Sequence, residues 1–118
     1  MDKRIGAQYF TLRDYIKTLE DFDNTCLKVS QMEYKTVQIS GTPLEAKEMK
    51  EILDKYNLKV VTTHKGFADF VNNLDMIIDY NKTLGCEVCG VGSMPPEYYS
   101  DSEGVTRFIK EANDVAEK

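Results

Sequence analysis

The chain has 118 residues, of which 42% are hydrophobic and 30% charged, and its net charge is -5. This length suits one soluble domain, and no apolar stretch approaches the roughly 20 residues that a membrane span requires. The fifteen basic residues are interleaved with twenty acidic ones, which argues against a nucleic-acid partner because phosphate binding needs clustered Lys and Arg. The N-terminus lacks the apolar segment of a signal peptide, so we expect a cytoplasmic protein.

Short β-branched or apolar segments alternate with amphipathic helical segments along the whole chain. The first strand is predicted at residues 5–11. The first helix is predicted at 19–32, because Thr18 and Asp21 have the spacing of a capping box. Apolar residues then recur at helical intervals, which is typical of a helix that covers one face of a sheet.

The second unit has the clearest boundaries. Its strand is predicted at residues 36–40. Thr42, Pro43 and Glu45 then combine an N-cap residue, a Pro at the first helical position and a Glu at the third. Asn57 can adopt the left-handed conformation that ends a helix.

The third and fourth units follow the same order. A β-branched strand is predicted at residues 59–63 with His64 at its C-terminal end, followed by one helix that Asp69 caps and that stops at residues 84–85. The fourth strand is predicted at 87–92. Ser100 and Glu103 then form a capping box for the last helix.

The chain has three cysteines, an odd number, and no secretory signal, which argues against a disulfide framework. Cys86 and Cys89 have the spacing of a zinc or redox motif. A zinc site needs a second ligand pair, and His64 has no second His or Cys near it in sequence. A redox motif places its first Cys at a helix N-terminus, whereas this one opens a predicted strand. We therefore predict buried free thiols.

Four βα units in succession predict an α/β fold of parallel strands in the order 1-2-3-4, with right-handed crossovers and all helices on one face. An eight-unit barrel usually needs roughly 250 residues. Residues 1–118 are thus predicted to form a single (βα)4 half of a TIM barrel, the N-terminal part of a longer (βα)8 domain.

Ligands of parallel α/β sheets bind at the C-terminal ends of the strands. The side-chain alternation of the second strand turns Val37 and Ile39 toward the helices, and Gln38 and Ser40 toward the barrel axis. On the third strand, the same alternation predicts that one set of side chains faces the axis, namely Val60, Thr62 and His64. The other set, Val61 and Thr63, is predicted to face the helices.

Each of these positions also has a purely structural interpretation. His64 is equally compatible with a hydrogen-bonded structural role, and Gln38 with satisfying a neighbouring polar group. Tyr98 and Tyr99 form either a lid over the pocket or part of an ordinary surface loop. The sequence has no P-loop, no dinucleotide fingerprint and no Ser-His-acid arrangement.

Four segments together resemble the N-terminal half of the sugar phosphate isomerase/epimerase family, the xylose-isomerase-like TIM barrels. They are residues 6–14 (GAQYFTLRD), 34–41 (YKTVQISG), 60–64 (VVTTH) and 84–92 (LGCEVCGVG). The resemblance implies isomerisation, epimerisation or dehydration of sugars and related polyols, commonly with Mn, Co, Mg or Zn. It also implies that the metal ligands lie on later strands, beyond Lys118. We therefore expect no metal and no catalytic residue in this chain alone.

By this resemblance, His64 matches the histidine that lines the substrate pocket at the end of the third strand and that helps to bind zinc in the endonuclease IV branch. Gln38 matches a position that is often Glu. An endonuclease is disfavoured because the chain is acidic and has one histidine. The expected substrate-binding residues are His64, Gln38, Gln8, Phe10 and Ser93.

Two functions follow from these observations. The first is the N-terminal half of a sugar or sugar-phosphate isomerase or epimerase that acts by metal-assisted proton transfer and is inactive alone. The alternative is a non-catalytic half-barrel that binds a small polyol or serves in assembly. The open edges of strands one and four predict a homodimer, or pairing with a C-terminal half.

Overall fold

The computed structural model describes residues 3–118 as a four-stranded parallel sheet in the order β1-β2-β3-β4. The strands are β1 (Gly6–Gln8), β2 (Thr36–Ile39), β3 (Lys59–Lys65) and β4 (Cys89–Val91). The helices are α1 (Leu19–Gln31), α2 (Ala46–Lys55), α3 (Phe67–Asn72), α4 (Leu74–Leu84) and α5 (Ser102–Ala116). Two 3₁₀ segments lie at Tyr9–Tyr15 and Pro96–Tyr98. The predicted fold class and strand order are confirmed.

The hydrophobic core lies between the sheet and α1, α2 and α4. Its fully buried members include Tyr9, Phe22, Val37, Met49 and Leu53. Burying a side chain of this size contributes about 1.5–3 kcal/mol, so these helices are held mainly by packing. None of the helices among residues 3–118 is both long and apolar enough to cross a membrane.

A polar contact joins α1 to α2 at the rim of this core. The Asp23 carboxylate accepts hydrogen bonds from the Lys55 ammonium, at 2.6 Å, and from the Tyr56 hydroxyl. These two bonds hold the pKa of Asp23 below its ordinary value.

The first strand is shorter than predicted. It ends at Gln8, and the chain turns at once into the 3₁₀ segment. The Thr11 hydroxyl donates to the Gln8 carbonyl at 2.6 Å, and the Arg13 guanidinium donates to the Phe10 carbonyl at 3.0 Å. Such local side-chain bonds satisfy backbone groups that a longer strand would pair.

The predicted start of the second helix is wrong. Helix α2 begins at Ala46, and Glu45 occupies its N-cap position without a side-chain bond. The Thr42 hydroxyl instead donates to the Ile16 carbonyl at 2.7 Å and accepts from the Leu44 N–H at 3.3 Å. Thr42 therefore ties this loop to the end of the first 3₁₀ segment, a long-range contact that local sequence does not reveal.

The predicted single helix after the third strand is two helices. Gly66, not Asp69, occupies the N-cap position of α3. Asn73 breaks the helix with φ -135° and ψ 38°, and its side-chain amide donates to Asp69 at 3.2 Å. The α5 cap is also displaced by one residue, because Asp101 rather than Ser100 accepts the Gly104 N–H, at 2.6 Å.

A β-bulge changes the side-chain alternation of β3. Val37 pairs with Val60 but Gln38 pairs with Thr62, so Val61 is an extra residue between the two pairs. Val60 therefore lies in the helix-side core with 3% exposure, and the prediction that it faces the axis is wrong. Val61, predicted to face the helices, is only partly buried and is not part of that core.

Beyond the bulge the predicted alternation holds. Thr63 is fully buried on the helix side, where its hydroxyl donates to the side-chain amide oxygen Oδ1 of Asn81 at 2.7 Å. Thr62 pairs with Gln38 and lies on the opposite, concave face of the sheet. His64 follows on that concave face.

The three cysteines are free thiols, as predicted. Cys26 and Cys86 are buried, whereas Cys89 is partly exposed. Burial raises the pKa of the Cys26 thiol to about 11 and also raises the pKa of Cys86. Strand β4 begins at Cys89 rather than before it, so the two-cysteine motif lies mostly in the connection from α4.

Candidate functional site

An open cavity of about 690 Å³ lies at the C-terminal ends of the four strands. It is lined by Gln8, Phe10, Ser40, Gly41, Thr42, His64, Lys65, Gly66, Gly92 and Ser93. Every strand or the loop that follows it contributes to this lining, which is the expected result of parallel strands that end at one edge.

The cavity brings together four of the five residues that the sequence predicts to contact substrate. Gln8, Phe10, His64 and Ser93 line it directly. Gln38 does not line the cavity. It lies on β2, two residues before Ser40, and only 8% of its surface is exposed. The fifth residue is thus a buried neighbour of the cavity.

Phe10 forms an exposed aromatic wall. The Arg13 guanidinium lies 4.7 Å from its ring centroid, and 49% of Phe10 is exposed. Gly41 has φ +71°, and a Cβ at that position would approach Phe10 Cδ2 to 3.0 Å. Gly41 is therefore required both by the backbone conformation and by the close approach of the ring.

Gly90 makes room for the imidazole of His64. The two residues are directly paired across β3 and β4. A Cβ at Gly90 would lie 3.0 Å from His64 Cδ2 and 3.2 Å from His64 Nε2. The ring thus extends over the β4 backbone, and Gly90 is a positioning residue that sequence reasoning missed. Its signal is a glycine inside a strand, which often marks a close approach.

Gln38 carries a polar atom that has no partner within residues 3–118. Its Nε2 donates to the Ser40 hydroxyl at 2.9 Å, while its Oε1 is buried and accepts no hydrogen bond. Turning the amide over would leave the N–H group unpaired instead. Gln38 is paired with Gln8 on one side and Thr62 on the other, so the concave face carries a polar row.

Lys65 directs its charge away from the cavity. Its ammonium lies 3.6 Å from the ring centroid of Tyr80 on α4. Burial lowers the pKa of Lys65 and raises the pKa of Tyr80 to about 12. The polar character of the cavity therefore comes from amide, hydroxyl and imidazole groups.

The lining does not fit a divalent metal. Within the described part of the chain, residues 3–118, it contains one imidazole and no carboxylate. Among residues 3–118, no cluster of three or more His, Cys, Asp or Glu is placed to hold an ion. Mg²⁺ and Mn²⁺ favour several oxygen ligands, and catalytic zinc takes three protein ligands.

Tyr98 anchors α5 rather than covering the cavity. Its ring lies 5.6 Å from Phe67 and 5.5 Å from Phe108, and its hydroxyl donates to Glu111 at 2.7 Å. Tyr99 is 58% exposed and is not part of the cavity lining. The two tyrosines thus belong to an ordinary surface loop, one of the two interpretations left open by the sequence.

The four parallel strands and their helices define the chain as one half of a TIM barrel. Among solved structures, the chain is similar in fold to the crystal structure of an AP endonuclease, family 2, from Brucella melitensis, with a TM-score of 0.65 and 17% sequence identity. The match covers 97% of this chain and 50% of that chain, so this chain spans half its length. No family model and no curated protein matches the sequence.

Proposed function

We propose that this chain is the N-terminal half of a sugar or sugar-phosphate isomerase or epimerase, and that its strand-end cavity binds the polyhydroxylated substrate. The observation that carries the proposal is the buried, unpartnered amide oxygen of Gln38 beside that cavity. Leaving a buried acceptor unpaired costs about 1–3 kcal/mol. A substrate hydroxyl that donated to Gln38 Oε1 would remove this cost.

The lining chemistry supports a polyol. Gln8, Ser93 and His64 each offer groups that donate and accept, as sugar hydroxyls do. The exposed face of Phe10 suits the apolar C–H face of a sugar ring. In this proposal, His64 orients one substrate hydroxyl, Gln8, Phe10 and Ser93 shape one side of the pocket, and Gln38 accepts from a substrate hydroxyl beside it.

Proton transfer next to a carbonyl is the step for which this cavity offers least. Among residues 3–118, its lining has one imidazole and no carboxylate, whereas metal-assisted isomerisation needs paired carboxylates and a metal. In the full barrel the later strands would supply the carboxylates that move the proton and hold the metal. We therefore expect this chain alone to bind substrate without turnover, a property shared with the alternative of a non-catalytic polyol-binding half-barrel. Activity of a barrel completed by a second half would distinguish the two.

Calorimetric titration with xylitol, an aldopentose and an aldohexose tests the proposal, with inorganic phosphate as a further probe. The Gln38→Met variant keeps the side-chain length but removes the amide, and it should bind at least one polyol about tenfold more weakly, the equivalent of one lost hydrogen bond. The same variant should resist urea slightly better than the parent, because it no longer buries an unpaired oxygen. Greater stability would rule out misfolding as the cause of weaker binding.

Gln31→Met is the matched control, since Gln31 is exposed at the end of α1, away from the cavity. It should bind like the parent chain. Absence of polyol binding by the parent, or equal binding by Gln38→Met, would overturn the proposal.

A further inference from the structure

The two outer strands have open edges. β1 and β4 are first and last in the sheet that residues 3–118 form, so within that range each lacks a neighbour on one side. The Thr63 N–H donates to the Val88 carbonyl at 3.1 Å, and peptide groups alternate in direction along a strand. The peptide groups of Cys89 and Val91 therefore face away from β3. Such groups are a template for pairing with another chain.

Large apolar side chains are exposed toward the two ends of the half-barrel and not in its centre. Within residues 3–118, no exposed large apolar side chain belongs to residues 33–70, the range that contains β2, α2 and β3. At the β1 end, Ile5, Tyr15 and Met32 are 84%, 68% and 68% exposed. At the other end, exposed apolar side chains occur on β4 and α5.

Helix α5 presents an apolar stripe that the described chain does not cover. Val105 and Ile109 are 37% and 54% exposed, one helical turn apart, and Gly104 is the helix's one buried residue. Phe108 instead faces the rest of the chain and contacts Phe67 with ring centroids 4.5 Å apart. The helix is thus held by one face, while a second apolar face remains open.

The opposite end offers a groove of matching character. It lies between the first 3₁₀ segment and α1, measures about 710 Å³, and is lined by Leu12, Tyr15, Asp21, Asn24, Thr25, Lys28, Val29 and Met32. In a closed barrel, the helix after the last strand lies beside α1. This groove is therefore the place where a helix like α5 of another half would pack.

The charges of the two ends are opposite. Residues 3–32, which include β1 and both walls of the groove, contain five basic and four acidic residues, a net charge of +1. Residues 86–118 contain seven acidic and three basic residues, a net charge of -4. Complementary charge favours contact between unlike ends over contact between like ends.

We infer that two copies of residues 1–118 associate to close an eight-stranded barrel, each copy taking the place that the proposed function gives to a C-terminal half. β4 of each protomer pairs in parallel with β1 of its partner, and α5 of each packs into the groove beside α1 of its partner. Twofold symmetry generates two identical junctions, so both open edges are satisfied at once. β1 and β4 have three residues each, so the two edges match in length.

Light scattering after size exclusion tests the inference. We expect a species of about 27 kDa, twice the 13.5 kDa of one chain, with weaker association at high salt. Ile109→Glu and Met32→Glu should each reduce the mass to that of a monomer, while circular dichroism stays unchanged. Thr83→Glu adds the same charge on exposed α4 surface and should leave the dimer intact.

Mixing the two disruptive variants gives the sharper result. A mixed pair contains one junction in which the intact Ile109 of one protomer meets the intact Met32 end of the other. Dimer should therefore reappear on mixing, and neither variant alone should show it. A parent chain that is monomeric, a chain that forms open-ended oligomers, or variants that do not complement each other would overturn the inference.

Discussion

Gln38 combines two opposed properties in one side chain. It is 92% buried, and yet one of its amide atoms has no hydrogen-bond partner among the described residues. If this position served only the stability of the fold, Met or Leu would give a higher free energy of unfolding than Gln, because neither buries an unpaired polar atom. The neighbouring polar positions Gln8, Thr62 and Ser40 surround it on the concave face, which gives the unpaired oxygen a route to a ligand.

Asp23 makes the stability of the chain depend on pH. The bonds from Lys55 and Tyr56 lower its pKa in the folded state. Its stabilising effect is therefore fully present above the unfolded pKa of about 3.9 and is lost as pH falls through the lower folded value. We expect Asp23→Asn to reduce the free energy of unfolding at pH 7.

The difference between the parent chain and Asp23→Asn should shrink as pH falls below about 4, because the parent then loses the same charge. Urea unfolding of both proteins at a series of pH values measures this difference in unfolding free energy. A difference that stays constant with pH would contradict the ionic account and would indicate that only side-chain packing had been changed.

Gly85 illustrates how a single residue ends an element. It follows α4 with φ +68° and ψ 32°, the left-handed conformation in which its N–H bonds the Lys82 carbonyl. A Cβ would meet no atom closer than 3.9 Å, so Gly85→Ala tests backbone strain alone. We expect the free energy of unfolding, measured in urea, to fall by about 1 kcal/mol.

Gly92→Ala is the matched control for that measurement. Gly92 follows β4, caps no helix and does not have a positive φ, and a Cβ there would meet no atom within 4 Å. Its unfolding free energy should not fall. Equal losses in both variants would mean that the left-handed conformation is not the cause.

Patterns read from the sequence predicted those elements that local chemistry determines. The Thr18 cap of α1 and the positive φ of Asn57 are as expected, because a cap or a left-handed residue acts within a few positions. The bulge at Val61 and the role of Thr42 were not predictable, because each depends on a neighbour distant in sequence. For the site, alternation placed His64 correctly but gave no indication of Gly90.

The whole molecule is elongated, with extents of 47 × 29 × 25 Å. Its radius of gyration of 15.6 Å exceeds the roughly 13.5 Å typical of a compact domain of this length. The uncovered concave face is rich in polar residues, including Gln8, Gln38, Thr62 and His64, so its exposure costs little hydrophobic free energy. Association is therefore attributed to the strand edges and the α5 stripe, and the strand-end cavity at the mouth of the closed barrel remains available to a ligand.

The most direct test of the proposed polyol-binding site is a titration of the ¹⁵N-labelled chain with xylitol, monitored by nuclear magnetic resonance of the side-chain amides. We predict that the resonances of Gln8 and Gln38 and the imidazole of His64 shift together along one binding curve. Those of exposed Gln31 should remain in place. Shifts confined to residues outside the strand-end cavity, or no shift at Gln38 while xylitol binds, would contradict the account.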